Sequence, residues 1–242
     1  MKHEWKTLVE GIVRLDVPFE DLYTSVFLVE GERPALIDSA TTRADVEEII
    51  IPALAARGYG KEMEGDLLVT HRHGDHSGGA KWLLSYFPNL RQVTLKDGER
   101  LGDLQAVSLA GHTEDSMGYM DLRTRSLLCG DGLQFFGVSR YGCSLVTPKG
   151  YEATLARVCE MEIEHLFLAH PFAGGAWESF GREAVLHACE VLCQSWDAIK
   201  SFLLDALSKT DDVAEIKALY AERFAGLPPL PRVTAEALRD GR

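Results

Sequence analysis

The stretch that most constrains this chain is His71-Arg72-His73-Gly74-Asp75-His76, with three imidazoles and a carboxylate in six residues. It follows an apolar run at 66–70 that reads as a buried strand. It precedes Ser77-Gly78-Gly79, a glycine-led entry into a helix with Ser77 as its cap. A loop at a strand end is where a rigid scaffold holds reactive groups. His71 and His73 lie two apart, so on an extended segment both point the same way. Asp75 and His76 come past Gly74, which lets the backbone bend toward a second point. Imidazoles and a carboxylate without thiolates suit zinc, iron or manganese, and make a poor closed structural zinc site. The bland alternative is a polar loop that happens to be histidine-rich. Against it, three of only eight histidines in 242 residues fall in this hexapeptide.

The length allows one large core, or a core with a small appendage. No run approaches a membrane span, so no membrane partner is expected. Residues 1–7 hold no apolar signal region, so export is not expected. The five cysteines form no CxxC pair, and Cys189 and Cys193 are four apart, a spacing suited to helix packing. A reduced, cytoplasmic protein fits this usage. The formal charge of −12 argues against nucleic acid as partner or substrate, because phosphate binding needs a basic surface.

Residues 5–16, 22–30 and 35–37 read as strands, with turns at 18–21 and 31–34. The third strand ends in Asp38, which either caps the next helix or orients a metal-bound histidine from behind. Residues 42–57 carry helical spacing, with a kink or break expected at Pro52. A helix is expected from Gly79 to Tyr86, short strands at 91–95 and 105–109, and a hairpin of 117–122 with 126–129. Residues 149–161 read as a helix and 164–169 as a strand. Four strands thus end in His or Asp: the hexapeptide, His112, Asp131 and His170, three with glycine alongside. Four such endings imply convergence on one site at one edge of a sheet. His3, His165 and His187 do not end strands near glycine and read as surface or packing residues.

The composition changes after Ala176. Residues 180–208 read as a long amphipathic helix, and 211–224 as a shorter one with fewer apolar residues. The shorter helix is expected near the surface, over the site or against a second subunit of a homodimer. The last eleven residues are polar and expected to be a loose tail. The domain reading is 1–208 as the catalytic domain and 209–242 as a C-terminal helical extension and tail.

The set His71-x-His73-x-Asp75-His76, His112, Asp131 and His170 resembles the metallo-β-lactamase fold superfamily. The resemblance implies an α/β fold, a four-layer αββα sandwich with a dinuclear site at one edge of the sheets. It implies that His71, His73 and His112 hold one divalent metal ion, zinc first and iron or manganese as alternatives. Asp75, His76 and His170 would hold the second, and Asp131 would bridge them. Asp38 matches the family's carboxylate behind the ligands. Within the superfamily, residues 70–79 and Gly130-Asp131-Gly132 look most like the glyoxalase II group, which hydrolyses glutathione thioesters. Arg140 falls where that group has a basic residue for the glutathione carboxylate. The segment between His76 and His112 is shorter than the group's, and its second basic clamp has no counterpart here.

The function this implies is hydrolysis of a small carbonyl ester, a thioester or lactone, by a hydroxide bridging two metals. Asp75 is then the group that carries the proton to the leaving atom, with Asp131 beside it at the reacting centre. The loop 132–148 is expected to form a pocket wall, with Arg140, Tyr141, Phe135 and Phe136 as substrate contacts; the aromatic rings could equally pack the loop itself. Two other classes stand beside this one: a di-iron redox protein, disfavoured by the missing flavin domain, and a non-enzymatic binding protein that keeps the metal site. β-Lactamase activity is disfavoured by the missing export signal, and nuclease activity by the acidic charge.

Overall fold

The computed structural model describes residues 4–241; His3 lies outside them. The chain folds as two six-stranded sheets, each covered by helices on its outer side. The first sheet holds β1 (Lys6–Val9), β2 (Ile12–Phe19), β3 (Leu22–Val29), β4 (Ala35–Ile37), β5 (Gly65–Leu68) and β6 (Leu90–Gln92), in that order. The second holds β7 (Arg100–Leu101), β8 (Leu104–Ser108), β9 (Met117–Asp121), β10 (Ser126–Cys129), β11 (His165–Phe167) and β12 (Glu178–Phe180), also in sequence order. The helices are α1 (Ile51–Ala56), α2 (Gly74–Ser77), α3 (Ala80–Tyr86), α4 (Pro148–Glu160), α5 (Arg182–Leu207), α6 (Val213–Arg223) and α7 (Arg232–Arg239).

Strand alternation builds the layers. Phe27, Ile37, Leu128 and Phe167 pack between the sheets. Their neighbours Leu28 and Leu36 face outward onto Val46, Leu54 and Leu83 of the first helical layer. Leu127 and Leu166 face outward onto Tyr151, Leu155 and Val185 of the second. Strands buried on both faces read as continuous apolar runs, which is why 26–29 and 67–69 lack a polar residue. Burying one such side chain typically contributes about 1.5–3 kcal/mol.

Strand direction sets where the site lies. β4, β5 and β6 run parallel, and the β2–β3–β4 pairings are antiparallel, so β2 runs with β4. In the second sheet β8 and β10 both pair antiparallel with β9, and β11 runs parallel to β10. β8, β10 and β11 therefore end on the same side of their sheet. The residues that follow β5, β8, β10 and β11 meet at that edge.

Several sequence expectations are corrected. The strand read over 5–16 breaks at Glu10-Gly11, where Gly11 takes φ +76°. The helix read over 42–57 opens with a π-helical turn, Asp45–Ile50, in which Ile51 N–H bonds back to Val46 C=O. Pro52 follows directly where the winding changes from π to α at Ile51, which is the break expected at that proline. The turn at 96–100 leads into an extra short strand, β7. In place of a loose tail over 232–242, residues Arg232–Arg239 form α7, with Thr234, Ala235 and Ala237 buried. Ile216, Tyr220, Leu230 and Ala235 belong to the same core cluster as α4 and α5. No helix among the described residues is long and apolar enough to cross a membrane.

Candidate metal centre

The hexapeptide changes conformation partway along. His73 is extended, at φ −63° and ψ 150°, and Gly74–Ser77 then form the single turn α2. His71 and His73 leave the extended part together, and the helical turn swings Asp75 and His76 toward a second point. Ser77 does not cap α3; its Oγ bonds back to the carbonyls of Arg72 and His73, and Gly79 precedes α3 with no side-chain cap.

Two groups of ligand-type atoms form, His71, His73, His112 and Asp131 in one and Asp75, His76 and His170 in the other, each group's atoms within 4.8 Å of one another. Asp131 spans the two. Its Oδ1 lies 3.3 Å from His76 Nε2 and 3.2 Å from His170 Nε2, and its Oδ2 lies 3.5 Å from His112 Nε2. Asp75 Oδ2 lies 3.3 Å from His76 Nε2 and 3.2 Å from His170 Nε2. It also accepts from Thr24 Oγ1 at 3.3 Å.

The outer nitrogens of four rings are held by oxygens. His76 Nδ1 donates to Asp38 Oδ2, His170 Nδ1 to the Tyr23 carbonyl and His112 Nδ1 to the Ser144 carbonyl, each at 2.7 Å. Thr70 Oγ1 donates to Asp38 Oδ2 at 2.9 Å and lies 3.2 Å from His71 Nδ1. An acceptor oxygen outside fixes the hydrogen there and turns Nε2 inward. Asp38 therefore takes the orienting place and not the helix cap, and also accepts the Thr70 N–H at 2.8 Å. Gly130 lies so close to Thr70 that a Cβ would displace its hydroxyl.

The donor set fits cations. His71 Nε2 and His112 Nε2 stand 3.0 and 2.8 Å from His73 Nδ1, and a single hydrogen on His73 cannot serve both. Burial pushes the His71 imidazole down to about 2, helped by the neighbouring His76 charge, and burial also lowers His112. Both rings are thus neutral at pH 7, with lone pairs facing inward. Burial also disfavours charge on His76 and His170, but Asp38 and Asp131 outweigh it at His76, and Asp131 with Asp75 at His170, which rises to about 9. Burial likewise opposes ionisation of Asp75 and Asp131, yet contacts with His76 and His170 hold both carboxyls below the usual range. Asp131 Oδ1 is buried without a hydrogen-bond partner. These inward atoms call for positive charge, and nitrogen and oxygen donors of this kind suit zinc, iron or manganese.

The site opens into a cavity of about 330 Å³ lined by His73, Asp75, His112, Asp131, His170 and Gln134, with Phe19, Leu22, Val138 and Tyr141 as its apolar side. Of the four expected substrate contacts, only Tyr141 lines it. Arg140 is turned to the surface, with Nη2 2.5 Å from Glu20. Phe135 is buried, with its ring against Gly175, and Phe136 packs on Gly174 and Phe224. Gly174 has φ +84°, and a Cβ there would meet the Phe136 ring at 2.6 Å. The α6 helix contributes no residue to the cavity wall; it packs on α5 and α7. Arg72 is exposed and pairs with Asp115, His187 is exposed beside Glu190, and His165 stacks on Phe167. Phe19, Leu22, Thr24 and the carbonyls of Tyr23 and Ser144 escaped the sequence reading. Phe19 and Leu22 flank the β2–β3 turn, and strand parity alone could have put that turn at the site edge.

Two layers of helices around two sheets, with a cluster of His and Asp side chains at the shared strand ends, make a four-layer αββα sandwich with a candidate metal site at its edge. The chain belongs to the metallo-beta-lactamase superfamily, whose family model matches residues 20–140. It is 29% identical over 164 residues to the lactamase-like protein adaB of Aspergillus niger, covering 61% of this chain and 49% of that protein. It is 33% identical over 88 residues to a hydroxyacylglutathione hydrolase of Francisella tularensis subsp. holarctica, covering 30% of this chain and 35% of that one. The chain thus spans half the length or less of these curated relatives. A metallo-beta-lactamase family protein from Thermus thermophilus has the same fold, with a TM-score of 0.71 at 20% identity over 96% of this chain and 92% of that one.

Proposed function

We propose that this protein is a dinuclear metal-dependent hydrolase of small carbonyl esters, a thioesterase or lactonase, acting on substrates with an uncharged apolar acyl part. The observation that carries the reading is Asp131, whose two carboxylate oxygens face different ligand groups. His71, His73 and His112 would hold one zinc ion and Asp75, His76 and His170 the other, with Asp131 between them. The pair would supply a nucleophilic water at neutral pH and draw charge from a carbonyl oxygen.

The rest is done by the chain. Asp75 lines the cavity and is steadied by the Thr24 hydroxyl, which places its carboxylate to pass a proton to the leaving atom. Phe19, Leu22 and Val138 exclude water on one side and receive the acyl group. Among the described residues no Lys or Arg lines the cavity, and Arg140 is engaged by Glu20, which favours a neutral substrate over an anionic one such as a glutathione conjugate. A screen of the zinc-loaded protein against acyl thioesters, lactones, phosphodiesters and β-lactams tests the reading. Turnover of a thioester or lactone that Asp131→Asn abolishes supports it. Turnover confined to phosphodiesters or β-lactams, or none at all, overturns it.

A further inference from the structure

We infer that Thr234, on the C-terminal helix α7, is a positioning residue for His112. Its side chain is fully buried. Thr234 Oγ1 accepts the Leu145 N–H at 2.8 Å and donates to the Cys143 carbonyl at 2.8 Å. Those two peptide groups flank Ser144 on either side. His112 Nδ1 lies 2.7 Å from the Ser144 carbonyl and 2.9 Å from Gln134 Nε2; the shorter contact is to an oxygen that can only accept, so Nδ1 carries the hydrogen toward Ser144, whose N–H is in turn held by Gln134 Oε1 at 2.7 Å. One hydroxyl thus fixes the short segment whose carbonyl orients the ring.

The contact belongs to the loop and not to α7 itself. Thr234 is the third residue of α7, in its first turn. Here both hydroxyl bonds leave the helix. The same segment grips the loop a second time, at Gly142, where a Cβ would collide with the Pro229 carbonyl. Gly142 and Ser144 both line the cavity. The C-terminal segment therefore acts as a backing plate for the wall that carries the His112 acceptor. Outer partners of a ligating histidine typically change metal affinity by about 10–100-fold.

This inference rests on His112 being a metal ligand, and cobalt(II) titration of the full chain separates the two claims. Thr234→Val keeps the shape and removes both hydrogen bonds. It is expected to weaken binding of one of two cobalt ions by about tenfold, to change the visible spectrum, and to shift the His112 Nδ1 hydrogen resonance. Thr234→Ser, which keeps the hydroxyl, is expected to stay within about threefold of wild type. Thr234→Ala carries the test if the valine variant does not fold. Wild-type cobalt affinity and an unmoved His112 resonance in the hydroxyl-less variant, alongside loss of one ion in His112→Ala, would overturn the inference alone, whatever the melting temperature does. Retention of both ions in His112→Ala would overturn the ligand assignment and the inference with it.

Discussion

Asp38 Oδ2 lies 2.7 Å from His76 Nδ1, and both side chains are fully withdrawn from solvent. Asp38 holds this place at φ +67°, in the left-handed region that a residue with a Cβ occupies only at a cost of order 1–3 kcal/mol. Its backbone N–H bonds to Leu68 C=O, and its carboxylate also takes the Thr70 N–H and hydroxyl. The carboxylate thus joins the ends of β4 and β5 and aims two imidazoles, His76 directly and His71 through Thr70.

Asp38→Asn would keep the volume and remove the charge behind His76. The expected result is about 10–100-fold weaker binding of one metal ion with the fold retained. Equilibrium dialysis followed by elemental analysis reads it. Wild-type affinity for both ions in Asp38→Asn would reduce the residue to a link between strands.

Asp131→Asn is expected to act on the pair of ions. Wild-type protein reconstituted with zinc should carry two ions per chain, because the donors fall into two groups and exceed what one tetrahedral ion takes. The variant should lose most of the second ion and at least about tenfold in activity, with little change in circular dichroism. A wild-type chain that holds one ion after reconstitution, or a variant with unaltered rates, would refute the bridging role.

The edge that carries the candidate metal site was legible because imidazole and carboxylate are rare enough to be seen when they crowd, and because four strands end on them. What lies behind the ligands was less so. His112 and His170 are oriented by the carbonyls of Ser144 and Tyr23, and every residue has a carbonyl, so no side-chain pattern marks them. The α7 helix was hidden for another reason. It buries Thr234, Ala235 and Ala237, small residues that carry little weight in a search for apolar periodicity. Phe135 and Phe136 follow Asp131 closely, and the sequence leaves a place in the cavity wall and a place in the packing of the loop equally open; the glycines at 174 and 175 leave room for both rings away from the cavity.

Gly130→Ala tests the close approach of β10's end to Thr70. The added methyl has no free space, and overpacking of this kind typically costs about 1–3 kcal/mol. At roughly 2–4 °C per kcal/mol for a chain of this size, the melting temperature should fall by about 2–12 °C. Metal affinity should fall as well, since Thr70 connects Asp38 to His71. An unchanged melting curve would show that the strand end yields without strain.

The cavity wall makes the last prediction. Phe19 is partly exposed, lines the cavity and stacks on Tyr141 at 6.0 Å between ring centroids. Arg140 has a side chain 66% exposed and is paired with Glu20 away from the lining. Exposed ion pairs of this kind contribute at most about 1 kcal/mol. Apolar contact with an acyl chain contributes about 1–2 kcal/mol per ring face covered, roughly 5–30-fold in affinity. Phe19→Ala should therefore raise KM about 5–30-fold for a thioester with a long or aromatic acyl group, and change an acetyl thioester by less than about threefold. Arg140→Ala should change KM by less than about threefold for neutral and anionic acyl groups alike. Steady-state kinetics on matched acetyl, hexanoyl and succinyl thioesters measure all of these together. A tenfold or larger loss confined to the succinyl substrate in Arg140→Ala would mean that the arginine leaves Glu20 to meet a carboxylate, and the apolar-acyl reading would fall. An equal loss on all three substrates in Phe19→Ala would assign that ring to the fold of the β2–β3 turn and not to the substrate.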